Sequence, residues 1–262
     1  MAKFVALSQS QHADARIRRG AAYRFAANET FLPLVAAELA RAVISLPVGF
    51  VTREGALSLV AVTSLTPGVN LFIANDGQWL GGYVPAALRG YPFRLARFKD
   101  RDESVLVFDE ESGMIGTGEG FEEAEPLFAA DGTPARPVSA TLEFLKQTEI
   151  NRASTAQAIR GLADSGVIED WPLVVTAPDG TQKPMTGLQR VSETKLTQLS
   201  DEDFLKVRRC GGLPIAYLQL VSMQHIGGFD RIVQLRDQLE RVKAQQKAEP
   251  VWEMGDSDEP IF

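Results

Sequence analysis

The sequence predicts an α+β protein, with a curved antiparallel β-meander of about six strands in its N-terminal half. Short apolar segments between residues 46 and 108 are separated by brief turns rich in Gly, Pro and Asp. Such connections are too short for parallel crossovers, so successive strands should pair antiparallel. Beyond residue 137, apolar side chains recur at three- and four-residue spacing, which is typical of helices. The meander is therefore expected to pack with helices, and the C-terminal half to be mostly helical with one β-hairpin.

Length and composition are those of an ordinary globular chain. The protein has 262 residues, of which 45% are hydrophobic and 23% charged, and its net charge is −7. We predict one integrated domain over residues 1–246, β-rich across 20–125 and helix-rich across 137–246. Residues 247–262 form an acidic tail that we predict to be disordered. The mild negative charge gives no indication of nucleic-acid binding.

No residue pattern indicates a metal or a cofactor. The chain has a single cysteine, Cys210, and two histidines, which argues against a disulfide framework and a Cys/His zinc site. A Gly-x-Gly-x-Gly run at residues 116–120 is not followed by a helix, so it is no dinucleotide fingerprint. Apolar runs are far shorter than a membrane span, and no targeting segment is evident. We expect a cytoplasmic protein without a membrane span.

The elements of the N-terminal half follow from local patterns. Apolar spacing predicts a helix over Thr30–Ala42, with Thr30 and Pro33 at its start. Val- and Leu-rich segments predict strands over Leu46–Thr52 and Leu57–Leu65, and two further strands over Phe93–Phe98 and Val105–Phe108.

The stretch 70–93 carries the densest aromatic pattern. Asp76-Gly77 predicts a tight turn between strands Leu71–Ala74 and Gln78–Val84. Pro85–Arg89 then predicts a short helix that ends at a glycine.

Two interpretations of this stretch remain open. In a strand, Trp79, Gly81 and Tyr83 share one face, so the bare glycine between two rings would form a stacking platform for a ligand. Alternatively, the rings fold over Gly81 and fill a core. The candidate ligand-binding residues are Trp79, Tyr83, Arg89 and Tyr91.

A second candidate site lies on the longest predicted helix, Pro137–Ala163. Its apolar seam passes through Glu149 and Arg152, one turn apart. They either form a structural ion pair or flank a pocket in which Arg152 binds a carboxylate or phosphate. With His225, expected at a helix C-terminus, they are the candidate catalytic residues if the protein is an enzyme acting on a peptide or aromatic substrate.

The C-terminal half contains the predicted hairpin, in which Trp171–Thr176 and Met185–Val191 turn about Asp179-Gly180. An amphipathic helix over Phe229–Gln246 would dock on its own domain or form a homodimer. Near its end the acidic tail carries apolar residues, Trp252 and Pro260-Ile261-Phe262, which are typical of a linear binding motif.

Five segments, taken in order and spacing, resemble the bacterial SapC family. They are FLPLVAAEL at Phe31–Leu39, the whole stretch Asn70–Phe93, FDEESG at Phe108–Gly113, FLKQTEINRASTAQ at Phe144–Gln157 and LVSMQHIGGF at Leu220–Phe229. The resemblance covers roughly residues 20–236, and residues 79–93 are its most specific part.

This resemblance implies a role in surface-layer or outer-membrane uptake systems. Because the sequence shows no nucleophile–base pair and no metal set, we expect a non-catalytic accessory or binding protein. The resemblance suggests protein partners, among them halogenase-like flavoenzymes and TonB-dependent receptors. It supplies no reaction and no catalytic residues.

Overall fold

A computed structural model describes residues 3–18, 20, 22–97, 104–176 and 181–248 of the chain. Within these ranges the α+β class is confirmed: antiparallel sheets dominate the N-terminal half, and helices dominate the C-terminal half. The predicted turn at Asp179-Gly180 and tail residues 249–262 lie outside the described residues. No helix in the described ranges is long and apolar enough to cross a membrane.

The strands are short and lie mostly before residue 130. They are β1 (Phe4–Ala6), β2 (Arg16–Ile17), β3 (Phe31–Pro33), β4 (Val48–Arg53), β5 (Ala56–Val62), β6 (Phe93–Arg97), β7 (Ser104–Asp109), β8 (Ile115–Gly116), β9 (Glu125–Pro126), β10 (Ile168–Asp170), β11 (Val174–Thr176), β12 (Gln182–Pro184) and β13 (Leu188–Val191).

The helices range in length from 4 to 29 residues. They are α1 (Gln9–His12), α2 (Leu39–Ala42), α3 (Ala86–Arg89), α4 (Arg136–Asp164), α5 (Glu193–Thr197), α6 (Asp201–Arg209), α7 (Gly212–Ser222) and α8 (Phe229–Ala248). Short 3-10 helices cover Arg24–Ala26, Ala36–Glu38, Glu110–Ser112 and Met223–Gly228.

The largest sheet combines strands from both halves of the chain, in the order β10-β13-β4-β5-β3. All of its neighbouring strands are antiparallel, and Leu188 of β13 pairs with Val51 of β4. Val60 and Ala61 at the centre of β5 are fully buried, as their apolar run predicts. Residues 188–191 therefore complete a sheet that residues 31–62 begin.

The remaining N-terminal strands form separate sheets. Strands β1, β7 and β6 form a three-stranded sheet, and β8, β2 and β9 form another. The four strands predicted around the stretch 70–93 are thus present as β4, β5, β6 and β7, but in two sheets and not in one meander. The stretch itself forms a single bridge between Ile73 and Trp79, which is too little pairing to connect the two sheets.

The predicted helix over Thr30–Ala42 is wrong in its first half. Phe31–Pro33 is strand β3, which pairs with β5 along the edge of the largest sheet. Leu32 precedes a proline, and a residue in that position disfavours the α region. Helical structure starts only at Ala36, and this change places Glu38 in a 3-10 turn.

The C-terminal predictions agree closely with the observed helices. Helix α4 spans Arg136–Asp164 against a predicted Pro137–Ala163, and α8 begins at Phe229 as expected. The predicted hairpin is present but shifted: Val174–Thr176 (β11) pairs with Gln182–Pro184 (β12), which precedes the predicted second strand. Leu188–Val191 pairs with β10 on one side and β4 on the other.

Two hydrophobic cores stabilise these layers. The larger one joins the five-stranded sheet to α4 and α7, through residues such as Phe50, Ile159 and Ile215. The smaller one lies under the β1-β7-β6 sheet and includes Phe93 and Phe108. The stretch 70–93 runs from the first core to the second.

Candidate functional site

Trp79 covers the glycine that the sequence places between two rings. Its indole stacks on Phe72, with ring centroids 5.5 Å apart and planes at 22°, and its Nε1–H donates to the Tyr83 carbonyl over 2.9 Å. A Cβ on Gly81 would lie 2.8 Å from Trp79 Nε1, so only glycine fits beneath the indole. This geometry matches the core-filling interpretation for Trp79, because one indole face is already occupied.

Glu38 is a buried carboxylate that the sequence analysis did not single out. It is 5% exposed and ends the 3-10 helix Ala36–Glu38. Oε1 accepts the Val35 backbone N–H at 2.9 Å, and Oε2 accepts the Tyr83 hydroxyl at 2.9 Å and the Ala86 N–H at 2.7 Å. A buried carboxylate needs such donors to offset lost hydration. Glu38 therefore joins the 3-10 helix to the start of α3.

Tyr83 turns toward Glu38 instead of sharing a face with Trp79. Burial and, after it, the neighbouring Glu38 carboxylate raise the pKa of Tyr83 to about 12, while Arg89 and Arg41 act in the opposite direction. The phenol is thus a neutral donor to Glu38 at ordinary pH. Its hydroxyl oxygen also accepts a hydrogen bond from Arg89 at 3.1 Å.

Arg89 connects α3 to α4. Its guanidinium lies 4.8 Å from the Phe144 ring centroid and 5.7 Å from that of Tyr83. Gly90 also packs against α4, because a Cβ at this position would lie 2.7 Å from Leu145 Cδ2. Arg89 is exposed, and its cation–π contacts hold it over the groove between the two helices.

Two adjoining lobes form a pocket along this groove. The first, which we call the apolar lobe, has a volume of about 200 Å³ and walls from Leu57, Leu59, Ala156 and Ile159. The second, the polar lobe, measures about 250 Å³ and is lined by side chains that include Arg41, Arg89, Gln147 and Asn151. Val35, Glu38, Ala86 and Thr148 line both lobes and mark their common boundary.

A buried threonine on helix α4, Thr155, is hydrogen bonded to the segment that carries Glu38. Thr155 Oγ1 accepts the Ala36 N–H at 2.8 Å and donates to the Asn151 carbonyl at 2.6 Å. Because Thr155 is only 3% exposed, this contact fixes one wall of the pocket against the segment that carries Glu38.

Four arginines surround the pocket. Arg53 and Arg152 line the apolar lobe, and Arg41 and Arg89 line the polar lobe. Arg53 donates to the Phe31 carbonyl at 2.9 Å, and Arg152 lies 3.3 Å from Glu149. Among the described residues, the Arg41 guanidinium makes no hydrogen bond or ion pair.

The three catalytic candidates do not contact one another as a set. Glu149 and Arg152 form an ion pair on α4 with side chains 43% and 60% exposed. In the described part of the chain, the His225 ring is hydrogen bonded instead to the Val43 carbonyl, 2.8 Å from Nε2. The structure thus places Arg152 at a pocket and leaves His225 in a contact that connects α2 to the segment after α7.

Tyr91 contacts a second buried carboxylate, that of Asp109. Its hydroxyl donates to Asp109 Oδ2 at 2.9 Å, and its ring stacks on Phe25 at 3.7 Å between centroids. Asp109 Oδ1 accepts the N–H groups of Lys3 and Glu111, and Asp109 is 4% exposed. Burial and Asp109 together raise the pKa of Tyr91 to about 12.

Helix α8, the predicted dimer helix, packs partly against its own chain. Ile232 packs against the larger core, whereas Leu235 and Val242 are 37% and 49% exposed. Arg236 and Lys243 contact Asn75 and Asp76 at the tight turn. Docking on its own domain accounts for one side of α8, and the homodimer stays a prediction.

The fold and this site define an α+β protein with an arginine-rimmed pocket beside a buried carboxylate. The chain belongs to the SapC family, whose model matches residues 7–228. No curated protein and no solved structure matches the chain.

Proposed function

We propose that the protein is an accessory protein that binds partner proteins in bacterial surface-layer or outer-membrane uptake functions. Membership of the SapC family supports this proposal. A further support is the single cysteine, Cys210, which is free and suits action in the reducing cytoplasm. Candidate partners are the halogenase-like flavoenzymes and TonB-dependent receptors that the family resemblance suggests.

The observation that carries the proposal is an exposed apolar surface around α7. Tyr217 and Val221, one turn apart on this helix, are 52% and 56% exposed, and Ile44 beyond α2 is 74% exposed. His225 binds Val43, so the end of α2 is held at the end of α7 nearest Val221. We call Ile44, Tyr217 and Val221 the α7 face. Grouped exposed apolar residues mark protein-binding surfaces more often than single ones do.

The buried side of α7 anchors the helix and so fixes the position of the α7 face. The opposite side of α7 is buried through Ile215, Ala216 and Gln219. The Gln219 amide donates to the Val48 carbonyl at 3.0 Å, and its oxygen accepts the Val191 N–H at 2.9 Å. These bonds fix the helix on the sheet, so a partner would meet a preorganised surface.

Affinity capture from the native bacterium tests the proposal. The tagged wild-type chain and the double variant Tyr217→Ser, Val221→Ser are compared, and captured proteins are identified and then tested as purified components. The control is Leu205→Ser on α6, because Leu205 is also apolar and 40% exposed. We expect a surface-layer or uptake component to bind wild type and control, and to bind the double variant at least about tenfold more weakly. Equal binding by the folded double variant, or capture of no such component, would refute the proposal.

A further inference from the structure

We infer that the pocket between α3 and α4 binds a small amphipathic carboxylate, with its carboxylate at Arg41 and Arg89 and its apolar chain in the apolar lobe. This site lies apart from the α7 face. The inference therefore goes beyond the accessory role and does not depend on it.

The charge of the polar lobe favours an anion. Arg41 has no hydrogen bond or ion pair among the described residues, and Arg89 has one hydrogen bond, to the neutral Tyr83 hydroxyl. Among the residues that the structure describes, Glu38 is the only carboxylate lining the two lobes, and three donors already bind it. Two cationic donor groups thus face one lobe with hydrogen-bonding capacity to spare. Arginine binds carboxylates in a planar, often bidentate geometry.

The remaining polar lining of this lobe suits a carboxylate headgroup. Gln147 and Asn151 lie one turn apart on α4, and their side chains bind each other at 3.2 Å between Nε2 and Oδ1. The Phe144 ring holds the Arg89 guanidinium in place from the same helix. The cation is therefore positioned before a ligand arrives.

The apolar lobe determines what is attached to the carboxylate. Its apolar walls are chiefly Leu57, Leu59, Ala156 and Ile159. The two arginines that also line this lobe are already paired, Arg53 with the Phe31 carbonyl and Arg152 with Glu149. The lobe meets the headgroup position at Glu38, Ala86 and Thr148, so one molecule can occupy both. A hydrated ion such as phosphate would leave the apolar walls unused, whereas an alkyl chain would bury them.

Calorimetric titration of the full chain with octanoate tests the inference. Each buried methylene should strengthen binding about fourfold, so hexanoate should bind on the order of tenfold more weakly than octanoate. Octanamide, which has the chain without the charge, should lose about tenfold or more. Inorganic phosphate should neither bind nor compete.

Two variants test the contribution of each lobe to binding. Arg41→Gln removes the cation that makes no hydrogen bond or ion pair within the described ranges, and it should weaken octanoate binding about tenfold or more. Ala156→Phe fills the apolar lobe from an exposed position without changing charge, and should abolish binding while thermal melting shows a folded protein. The matched control is Lys146→Gln, since Lys146 pairs with Glu143 on the same helix and lines neither lobe.

The outcomes are distinguishable from those of the accessory role. Binding that is weakened about tenfold or more in Arg41→Gln, abolished in Ala156→Phe and kept in the control supports the inference. No octanoate binding at millimolar concentration, equal binding of octanamide, or equal binding by folded Ala156→Phe would overturn it. Partner capture through the α7 face would be unaffected by any of these results.

Discussion

Two buried carboxylates, Glu38 and Asp109, are built on the same plan in two different cores. Each accepts two backbone N–H groups and one tyrosine hydroxyl. Both tyrosines, Tyr83 and Tyr91, have a pKa raised to about 12. The hydrogen-bonding unit alone therefore does not distinguish a structural contact from a site.

The difference lies in what surrounds each unit. Glu38 borders two adjoining lobes, and Tyr83 lines the polar one together with Arg41 and Arg89. Asp109 instead ties the backbone of Lys3 to the end of β7, and the ring of Tyr91 is covered by Phe25. Cations with spare donors, and not the buried carboxylate, therefore mark the candidate site.

Removing Glu38 should give the largest loss of stability. Glu38→Ala leaves three donors without their acceptor, two of them at the buried residues Val35 and Ala86, and should lower the free energy of unfolding by about 3–5 kcal/mol. Urea denaturation measures this loss. Glu38→Gln, which retains one acceptor oxygen, should lose less. A loss below about 1 kcal/mol for Glu38→Ala would show that the network is not structural.

Removing Asp109 should cost less, about 2 kcal/mol. Its hydrogen bonds with Lys3 and Glu111 are only partly buried, so water can replace the lost acceptor. Urea denaturation of Asp109→Ala beside Glu38→Ala gives the ranking directly. Octanoate binding should be unchanged in Asp109→Ala. The reverse ranking, or impaired octanoate binding, would contradict the contrast drawn between the two units.

Tyrosine-to-phenylalanine variants should cost less again, and nearly equally. Each removes one hydrogen bond to a carboxylate, at 2.9 Å in both units, and should lower the unfolding free energy by about 1–2 kcal/mol. Octanoate titration then separates them, because Tyr83→Phe removes the hydrogen bond that Arg89 donates, whereas the Tyr91 hydroxyl bonds Asp109 instead. An equal effect of both variants on octanoate binding would argue against the role of Arg89.

The smallest effect is expected in alkaline titration. The folded pKa of Tyr83 and Tyr91, about 12, exceeds the ordinary value of 10.0. The stability from the neutral phenols is therefore complete below pH 10 and is lost as pH rises toward 12. Ultraviolet absorbance of tyrosinate in the four-tyrosine chain should show two late ionisations.

In Arg89→Gln, the pKa of Tyr83 should rise further, since Arg89 lowers it, and that of Tyr91 should not. A matching shift at Tyr91, measured with Tyr83→Phe as reference, would contradict this.

Local signals sufficed for much of the fold. The tight turn at Gly77, with φ of 91°, and the cap of α6, where Ser200 Oγ accepts the Asp203 N–H at 3.1 Å, depend on neighbouring residues. The long helix α4 follows from its own periodicity. Strand β3 was missed because its pairing with β5 is a tertiary interaction that overrides helical spacing.

The site was only half predictable for the same reason. Arg89 and Tyr83 were candidates because they lie in an unusual aromatic stretch, but Glu38 receives its bond from Tyr83 across 45 positions of sequence. The available signal was a single glutamate inside the otherwise apolar run from Leu32 to Leu39. A lone charge in such a run needs buried donors, and spacing alone does not say where they come from.

The pairing of β13 with β4 has a consequence for how the protein is made. On the ribosome, β4 and β5 emerge early, but Leu188 and Gln219, which bind Val51 and Val48, are synthesised much later; the Gln219 contact spans 171 positions. Until then, one edge of β4 exposes unpaired backbone groups to other chains. Such long-range closure slows folding and favours chaperone engagement during translation. Truncation before residue 188 should accordingly produce an aggregating fragment and not a smaller folded protein.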